Sequence, residues 1–509
     1  MIFTVAIIVL VPVQTWAQSS GGFDAALDRE MPAFLDRYGV SGSVVAFIDD
    51  GAVAWTNAYG LSDVSEGTPM SPDMVFEFGS CGKVLTAWAT MRLVEEGLVD
   101  LDAPVNDYLK RWQIESDIYD PDEVTVRRLL THTSGLNMHG YLDYSPRRSN
   151  PPDLVDSLQG INLLDGLGET IGSGRLSFGD LRLVQEPGSG FLYSGGGYAL
   201  LQMLIEDVTG RSFDEFMKAE VTDPLGARSL SWAWTPELQA RAPTPYSEEG
   251  RPVEHRQLAI HGIGSEIGTV TDFAHFVAAV IEGPNGEPRG RGVLEPETVD
   301  LMISPWSEAY ADQGIEQGLG YGLGRINGAL TVSHGGANVG WMALFFLDTV
   351  RRQGFVVASP SNRADPLHTT ITDLWLDATY GGGIANEWPP APGIGPVSLL
   401  FLALAGALTL MLAVGVFRFV RELRAGRRER ASRPTGREVL RVVPWLAALS
   451  FTWYTIYSSL PLYLPGWYPD FWPTIGSLVF VLILAGGIVF AVVRAFFPRN
   501  DMAAQVGAG

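Results

Sequence analysis

The last part of this sequence constrains its folding most. After the stiff stretch Trp388-Pro389-Pro390-Ala391-Pro392-Gly393, three apolar runs follow, at about 397–417, 442–464 and 473–493. Each approaches the ~20 residues that an α-helix needs to cross a bilayer. The connection between the first two, 418–441, carries nine arginines, from Arg418 to Arg441. The connection between the second and third, Pro465-Gly466-Trp467-Tyr468-Pro469-Asp470-Phe471-Trp472, is aromatic and has no base. Cytoplasmic loops collect Arg and Lys, and aromatic rings gather at membrane interfaces. The expectation is three transmembrane helices after a linker at 389–396, with the basic loop and the C-terminus in the cytoplasm. Everything before the linker is then expected outside, in the periplasm or beyond the cell. Residues 1–17 agree with this: an apolar run ends in Thr15-Trp16-Ala17, with small residues where a signal peptidase cuts. They lack a basic start, so a signal peptide or an N-terminal anchor are both open, and a buried first strand is the alternative.

Charge follows the same division. Residues 394–509 hold eleven arginines against five acids, a net of +6, while the whole chain is −22. The outer part is therefore about −28, which argues against nucleic acid and anionic lipid head groups as its partners. A single cysteine, Cys81, excludes an internal disulfide. No C-x-x-C, H-E-x-x-H or phosphate-binding glycine loop occurs, and no metal or cofactor is expected.

Residues 23–388 read as one globular domain. A helix is expected over about 24–38. Val44-Val45-Ala46-Phe47-Ile48 and Val53-Ala54-Trp55 flank Asp49-Asp50-Gly51, a hairpin signal. Residues 344–348 and 355–359 read as neighbouring strands, and a helix follows at 369–380. The middle, 101–256, is mostly helical in pattern with long loops. Strands at both ends and helices between them predict an α/β (α+β) sandwich: an antiparallel sheet flanked by helices, with an inserted all-helical subdomain.

Three stretches carry the chemistry. In Phe78-Gly79-Ser80-Cys81-Gly82-Lys83 a loop feeds an apolar-periodic segment, so Ser80 and Lys83 share one helix face. A serine needs a base to take its proton, and a lysine serves only where burial brings its pKa toward neutrality. Lys83, Lys110 and Lys218 are the only lysines; every other base is Arg, which does not exchange protons. The second stretch is Pro187-Gly188-Ser189-Gly190-Phe191-Leu192-Tyr193-Ser194-Gly195-Gly196-Gly197-Tyr198, whose glycines admit close approach of a ligand. Tyr193 beside a lysine cation could be lowered enough to act as a base, or it could simply pack. The third is Ser333-His334-Gly335-Gly336-Ala337-Asn338-Val339-Gly340-Trp341, a strand edge offering backbone N–H groups, or else a tight bend with a solvated His.

Together and in this order, the three resemble the motifs S-x-x-K, Y-x-[NS] and K-T-G/H-x-G of the serine β-lactamase/penicillin-binding-protein-like family, in the branch of class C β-lactamase-related serine hydrolases. Leu129-Leu130-Thr131-His132-Thr133-Ser134-Gly135-Leu136, Ile267-Gly268-Thr269-Val270-Thr271-Asp272-Phe273 and Gly320-Tyr321-Gly322-Leu323-Gly324 match as well. The resemblance implies Ser80 as the acylated nucleophile, with Lys83 and Tyr193 sharing the general-base work. It implies an oxyanion hole from the N–H groups of Ser80 and Ala337, and substrate binding along His334, Gly335 and Gly336. Gly195 stands where many members have Asn, and His334 where many have Lys; both weaken the case for β-lactam hydrolysis. Asn338 and Trp341 are further candidates for the pocket wall. His132, in the family's His-Thr-Ser-Gly turn, reads as structural rather than metal-binding.

The expected function is a membrane-tethered, extracytoplasmic serine hydrolase that passes through an acyl-serine. Its substrates would be D-amino-acid peptides, β-lactam-like compounds or small esters. The alternative is a catalytically weak penicillin- or peptidoglycan-binding protein or sensor that signals through its membrane part. Three spans exceed what a tether needs, so a membrane protein partner is a further expectation.

Overall fold

A computed structural model describes residues 22–137, 153–159, 180–306 and 316–381. It also describes short pieces at 143–144, 161–162, 177–178, 410–428 without residue 412, and 487–497. The chain divides into two compact units, Met1–Glu387 and Trp388–Gly509.

The first unit is built on an antiparallel sheet of eight strands. In chain order its strands are β1 (Gly42–Asp49), β2 (Ala52–Asp63) and β3 (Thr68–Pro69), then β6 (Glu316–Gln317), β7 (Gly322–Ile326), β8 (Ala329–Asn338), β9 (Trp341–Asp348) and β10 (Gln353–Ser359). A separate pair, β4 (Val75–Glu77) with β5 (Ile267–Thr269), completes the numbering. The sheet order is β6-β7-β8-β9-β10-β1-β2-β3, so the two ends of the domain meet where Val44 pairs with Ala358 and Phe47 with Phe355. The β1–β2 hairpin turns at Asp50 (φ 50°) and Gly51 (φ 75°), both left-handed as a tight hairpin of this twist requires.

Side-chain alternation explains the layers. Val44, Ala46 and Ile48 point into one core, and Val45 into another. Along β9, Phe345 and Leu347 join the first core and Phe346 the second. The second core lies under α1 (Phe23–Tyr38) and a C-terminal helix, Asp365–Tyr380. In α1, Phe23, Leu27, Met31, Phe34 and Leu35 recur at helical spacing to make its buried stripe. Each large apolar side chain so buried contributes roughly 1.5–3 kcal/mol. The first core is covered by α2 (Lys83–Glu95), α3 (Gly195–Thr209) and α4 (Val270–Ala278), with α5 (Asp365–Tyr380) closing the opposite face.

The sandwich is as the sequence predicts, with longer elements: the strands near residue 344 and 355 begin at Trp341 and Gln353, and α5 begins four residues before 369. The inserted region is not all-helical. Two short strand pairs interrupt it, Asp143–Tyr144 with Gln257–Leu258 and Ile161–Asn162 with Ser177–Phe178.

In the second unit, residues 413–424 and 487–495 are helical. The Phe419 ring meets Phe490 and Phe497 edge-on at 5.7 and 6.0 Å. Arg428 is buried against Glu422 (2.6 Å) and donates to the Phe497 carbonyl (2.6 Å). Among the described residues no helix is long and apolar enough to cross a membrane. Most of the three apolar runs lies outside the described residues, as do the leader at 1–17 and the linker at 389–396.

Candidate active site

Ser80 sits in a 3₁₀ turn, Gly79–Gly82, that runs directly into α2. The turn lies against β8. Pairing between β7 and β8 stops at Ser333, so from His334 onward one edge of β8 has no strand beside it. The nucleophile turn occupies that side: the Cys81 thiol donates to the His334 carbonyl at 3.2 Å. Two glycines permit the contact. Gly79 has a φ of 54°, and a Cβ there would lie 2.5 Å from the Ala337 nitrogen. A Cβ on Gly336 would lie 1.8 Å from the Phe78 carbonyl oxygen and 2.8 Å from the Ser80 nitrogen. The backbone nitrogens of Ser80 and Ala337 therefore both lie at the contact between this turn and β8.

Lys83 is on the first turn of α2 and only 3% exposed. Its amine donates to Ser80 Oγ at 2.9 Å and to the Ile263 carbonyl at 2.6 Å. Burial pulls the ammonium down from 10.5 to about 7, against the opposing pull of Glu266 and Cys81. A lysine so placed is neutral in about half of the molecules at pH 7.

Tyr193 lies on the other side of the amine, its ring centre 5.2 Å from Lys83 Nζ and its hydroxyl within hydrogen-bond reach of Ser80. Here the structure corrects the sequence reading. Burial pushes the phenol up, not down. Tyr193 is therefore held protonated, and Lys83 is the group brought toward neutrality. The adjacent Ser194 caps α3: its Oγ accepts from Gly197 N at 3.0 Å and donates to the Asn137 carbonyl at 2.6 Å. Its N–H donates to His132 Nδ1 at 3.1 Å, so His132 holds the segment that carries Tyr193 and has the structural role the sequence suggests. Gly195 opens α3 and is buried; its place is in the helix cap that Ser194 makes.

His334 is 6% exposed. Its Nδ1 donates to the Gly335 carbonyl at 2.6 Å, and burial lowers it to about 3, so it is a neutral donor and not a cation. The Asn338 amide braces Glu77 Oε2 (2.7 Å) and the Gly264 carbonyl (3.0 Å). Trp341 is 1% exposed, edge-on to Phe76 and stacked on Trp234, and belongs to the core. The accessory stretches frame the site: Gly320 N–H donates to the Leu130 carbonyl at 3.1 Å, and Trp88 Nε1 to the Tyr321 hydroxyl at 2.7 Å. Two participants escape the sequence reading, the Ile263 carbonyl and the buried acid Glu266. The matched stretch begins at Ile267, one residue beyond that acid; an acid between Gly264-Ser265 and Ile267-Gly268 was its only signal.

A family model described as Beta-lactamase matches residues 27–380. Esterase EstB of Burkholderia gladioli is 33% identical over 209 residues, 41% of this chain and 51% of that protein. The human mitochondrial serine beta-lactamase-like protein LACTB is 25% identical over 329 residues, 53% of this chain and 60% of that protein. The matches to the first curated relatives thus span 38% to 64% of those proteins' own lengths. Among solved structures, the octameric penicillin-binding protein homologue from Pyrococcus abyssi superposes with a TM-score of 0.56 at 23% identity, over 72% of this chain and 79% of that one. D-alanine carboxypeptidase AmpC from Burkholderia cenocepacia gives 0.53 at 17% identity, over 70% and 99%. With the family model covering most of the chain and the Ser80–Lys83–Tyr193 geometry in place, the chain belongs to the Beta-lactamase family of serine hydrolases.

Proposed function

We propose that this protein is a membrane-tethered, extracytoplasmic hydrolase that cleaves esters or amides through an acyl-serine at Ser80. The observation that carries the reading is the buried Lys83 amine, 2.9 Å from Ser80 Oγ and at about 7. Lys83 takes the hydroxyl proton as Ser80 Oγ bonds to the substrate carbonyl carbon. The carbonyl oxygen gains the negative charge against the N–H groups of Ser80 and Ala337, worth roughly 3–4 kcal/mol per donor. The carbonyl re-forms as the bond to the leaving group breaks, and Tyr193, held protonated, supplies the leaving group's proton and is reprotonated from Lys83. Water then repeats the sequence on the ester, releasing the acid and restoring Ser80.

Substrate class follows from His334. On the strand edge where a fixed cation would grip a carboxylate stands a neutral imidazole. Substrates are therefore neutral at that position: small esters, or D-amino-acid peptides and amides without a free carboxylate there. Relatives bearing the names of an esterase and a D-stereospecific amidohydrolase are in keeping with this. The tether rests on the apolar runs and the arginine-rich connection.

The test is turnover by the full-length protein of p-nitrophenyl acetate, a D-alanine p-nitroanilide, a peptide ending in D-Ala-D-Ala, and nitrocefin. Faster turnover of the ester and the anilide is expected; preference for the two carboxylate-bearing substrates would overturn the substrate class. Resistance of the protein to alkaline carbonate extraction is the expected sign of the tether, and release into the supernatant would remove it.

A further inference from the structure

The loop that gives Lys83 its second acceptor also carries an acid into the site. Glu266 lies three residues beyond Ile263 and is 1% exposed. Its carboxylate packs on Gly82: a Cβ at that glycine would lie 1.7 Å from Oε2 and 2.2 Å from Oε1. Gly82 joins Ser80 to Lys83 in the nucleophile turn, so the acid rests on the backbone that holds nucleophile and base together. Neither oxygen meets a side-chain donor among the described residues; the N–H groups of Gly82 and of Glu266 itself act on it from the backbone. A well-packed apolar residue would fill this space without the cost of a buried carboxyl. The other titratable groups facing it are Cys81 on the nucleophile turn, Lys83 at the start of α2 and Glu77 on β4. His132, His334, Tyr193 and Tyr198 face Lys83 from the remaining sides, and burial keeps all four neutral.

We propose that Glu266 is a positioning residue of the acyl-transfer centre that works protonated, and that its ionisation shuts the site down. As a neutral acid it leaves the oxyanion hole free of opposing charge. As a carboxylate beside Gly82 it places a negative charge next to the oxygen that becomes anionic on attack, in surroundings that screen it poorly. Burial raises the Glu266 carboxyl from 4.5 to about 8, just above the point where Lys83 becomes a free base. The rate should then rise with pH as Lys83 loses its proton and fall again as Glu266 loses its own.

The inference rests on the Ser80–Lys83 reading above, and one experiment separates the two. The rate of fluorophosphonate labelling of the full-length protein is measured from pH 6 to 9.5, for the native protein, Glu266→Gln and Glu266→Met. No labelling that depends on Ser80 would refute the functional reading itself. With labelling present, the native profile is expected to be a narrow bell. Both variants should keep the acidic limb and lose the alkaline one, ending on the order of 30-fold faster than the native protein at pH 9.5. A native profile with no alkaline limb, or variant profiles that superpose on it, would overturn the inference, and the first of these needs no variant to fold.

Discussion

Replacing Lys83 with Met should make the protein more stable while abolishing acylation. In the folded chain the amine titrates at about 7, against 10.5 when unperturbed. Between those values the unfolded chain binds a proton that the folded chain has released, so stability rises with pH across the window. The cost of burying this lysine is largest below pH 7 and vanishes above 10.5. It amounts to about 4 kcal/mol at pH 7 and about 2 kcal/mol at pH 9. Met fills a similar volume without that cost. Against the gain stands the Ile263 carbonyl, which loses a donor; a buried acceptor left unpaired costs about 1–3 kcal/mol at either pH. Lys83→Met should therefore be more stable by about 1–3 kcal/mol at pH 7, and the gap should close by about 2 kcal/mol at pH 9. Glu266 titrates in the opposite sense: its raised value contributes stability below 4.5 that is lost as pH climbs through about 8. It is present in both proteins and largely cancels. Urea unfolding of the full-length proteins, followed by tryptophan fluorescence at pH 7 and 9, reads the difference. A gap that stays constant between the two pH values would refute the claim that Lys83 is buried as a free base.

Tyr193→Phe removes the proton donor and keeps the ring, so ester turnover should fall about 10²–10⁴-fold with little change in unfolding midpoint; unaltered turnover would remove Tyr193 from the reaction. Gly336→Ala places a Cβ 1.8 Å from the Phe78 carbonyl, which pushes β8 away from the nucleophile turn. Its labelling rate should drop at least about tenfold, since one displaced oxyanion donor costs as much or more; a native labelling rate would mean that Ala337 N–H is not used.

The frame of this molecule is legible in its sequence because local signals and burial agree there. The Asp50-Gly51 turn, the alternation through Val44–Ile48 and the stripe of α1 each have one physical solution. Ser80 and Lys83 are legible for the same reason, since three-residue spacing on a helix brings them together. What escapes is set by contacts between distant segments. Glu266 meets Gly82 and Ile263 meets Lys83 across 184 and 180 positions, and nothing in their own neighbourhoods announces it. The sense of the Tyr193 shift escapes too, because it depends on how fully Tyr193 itself is buried, and that is a property of the packed core. Trp341 sits beside the motif yet belongs to the core, and the Asn338 amide is taken up by Glu77 and the Gly264 carbonyl.

The central claim is that Ser80 is an activated nucleophile. Intact-mass analysis of the full-length protein after exposure to a fluorophosphonate, with Ser80→Ala and Lys83→Met alongside, tests it most directly. The account predicts one adduct per chain on the native protein and none on either variant. Absence of an adduct on folded native protein, or an adduct that survives Ser80→Ala, would contradict it.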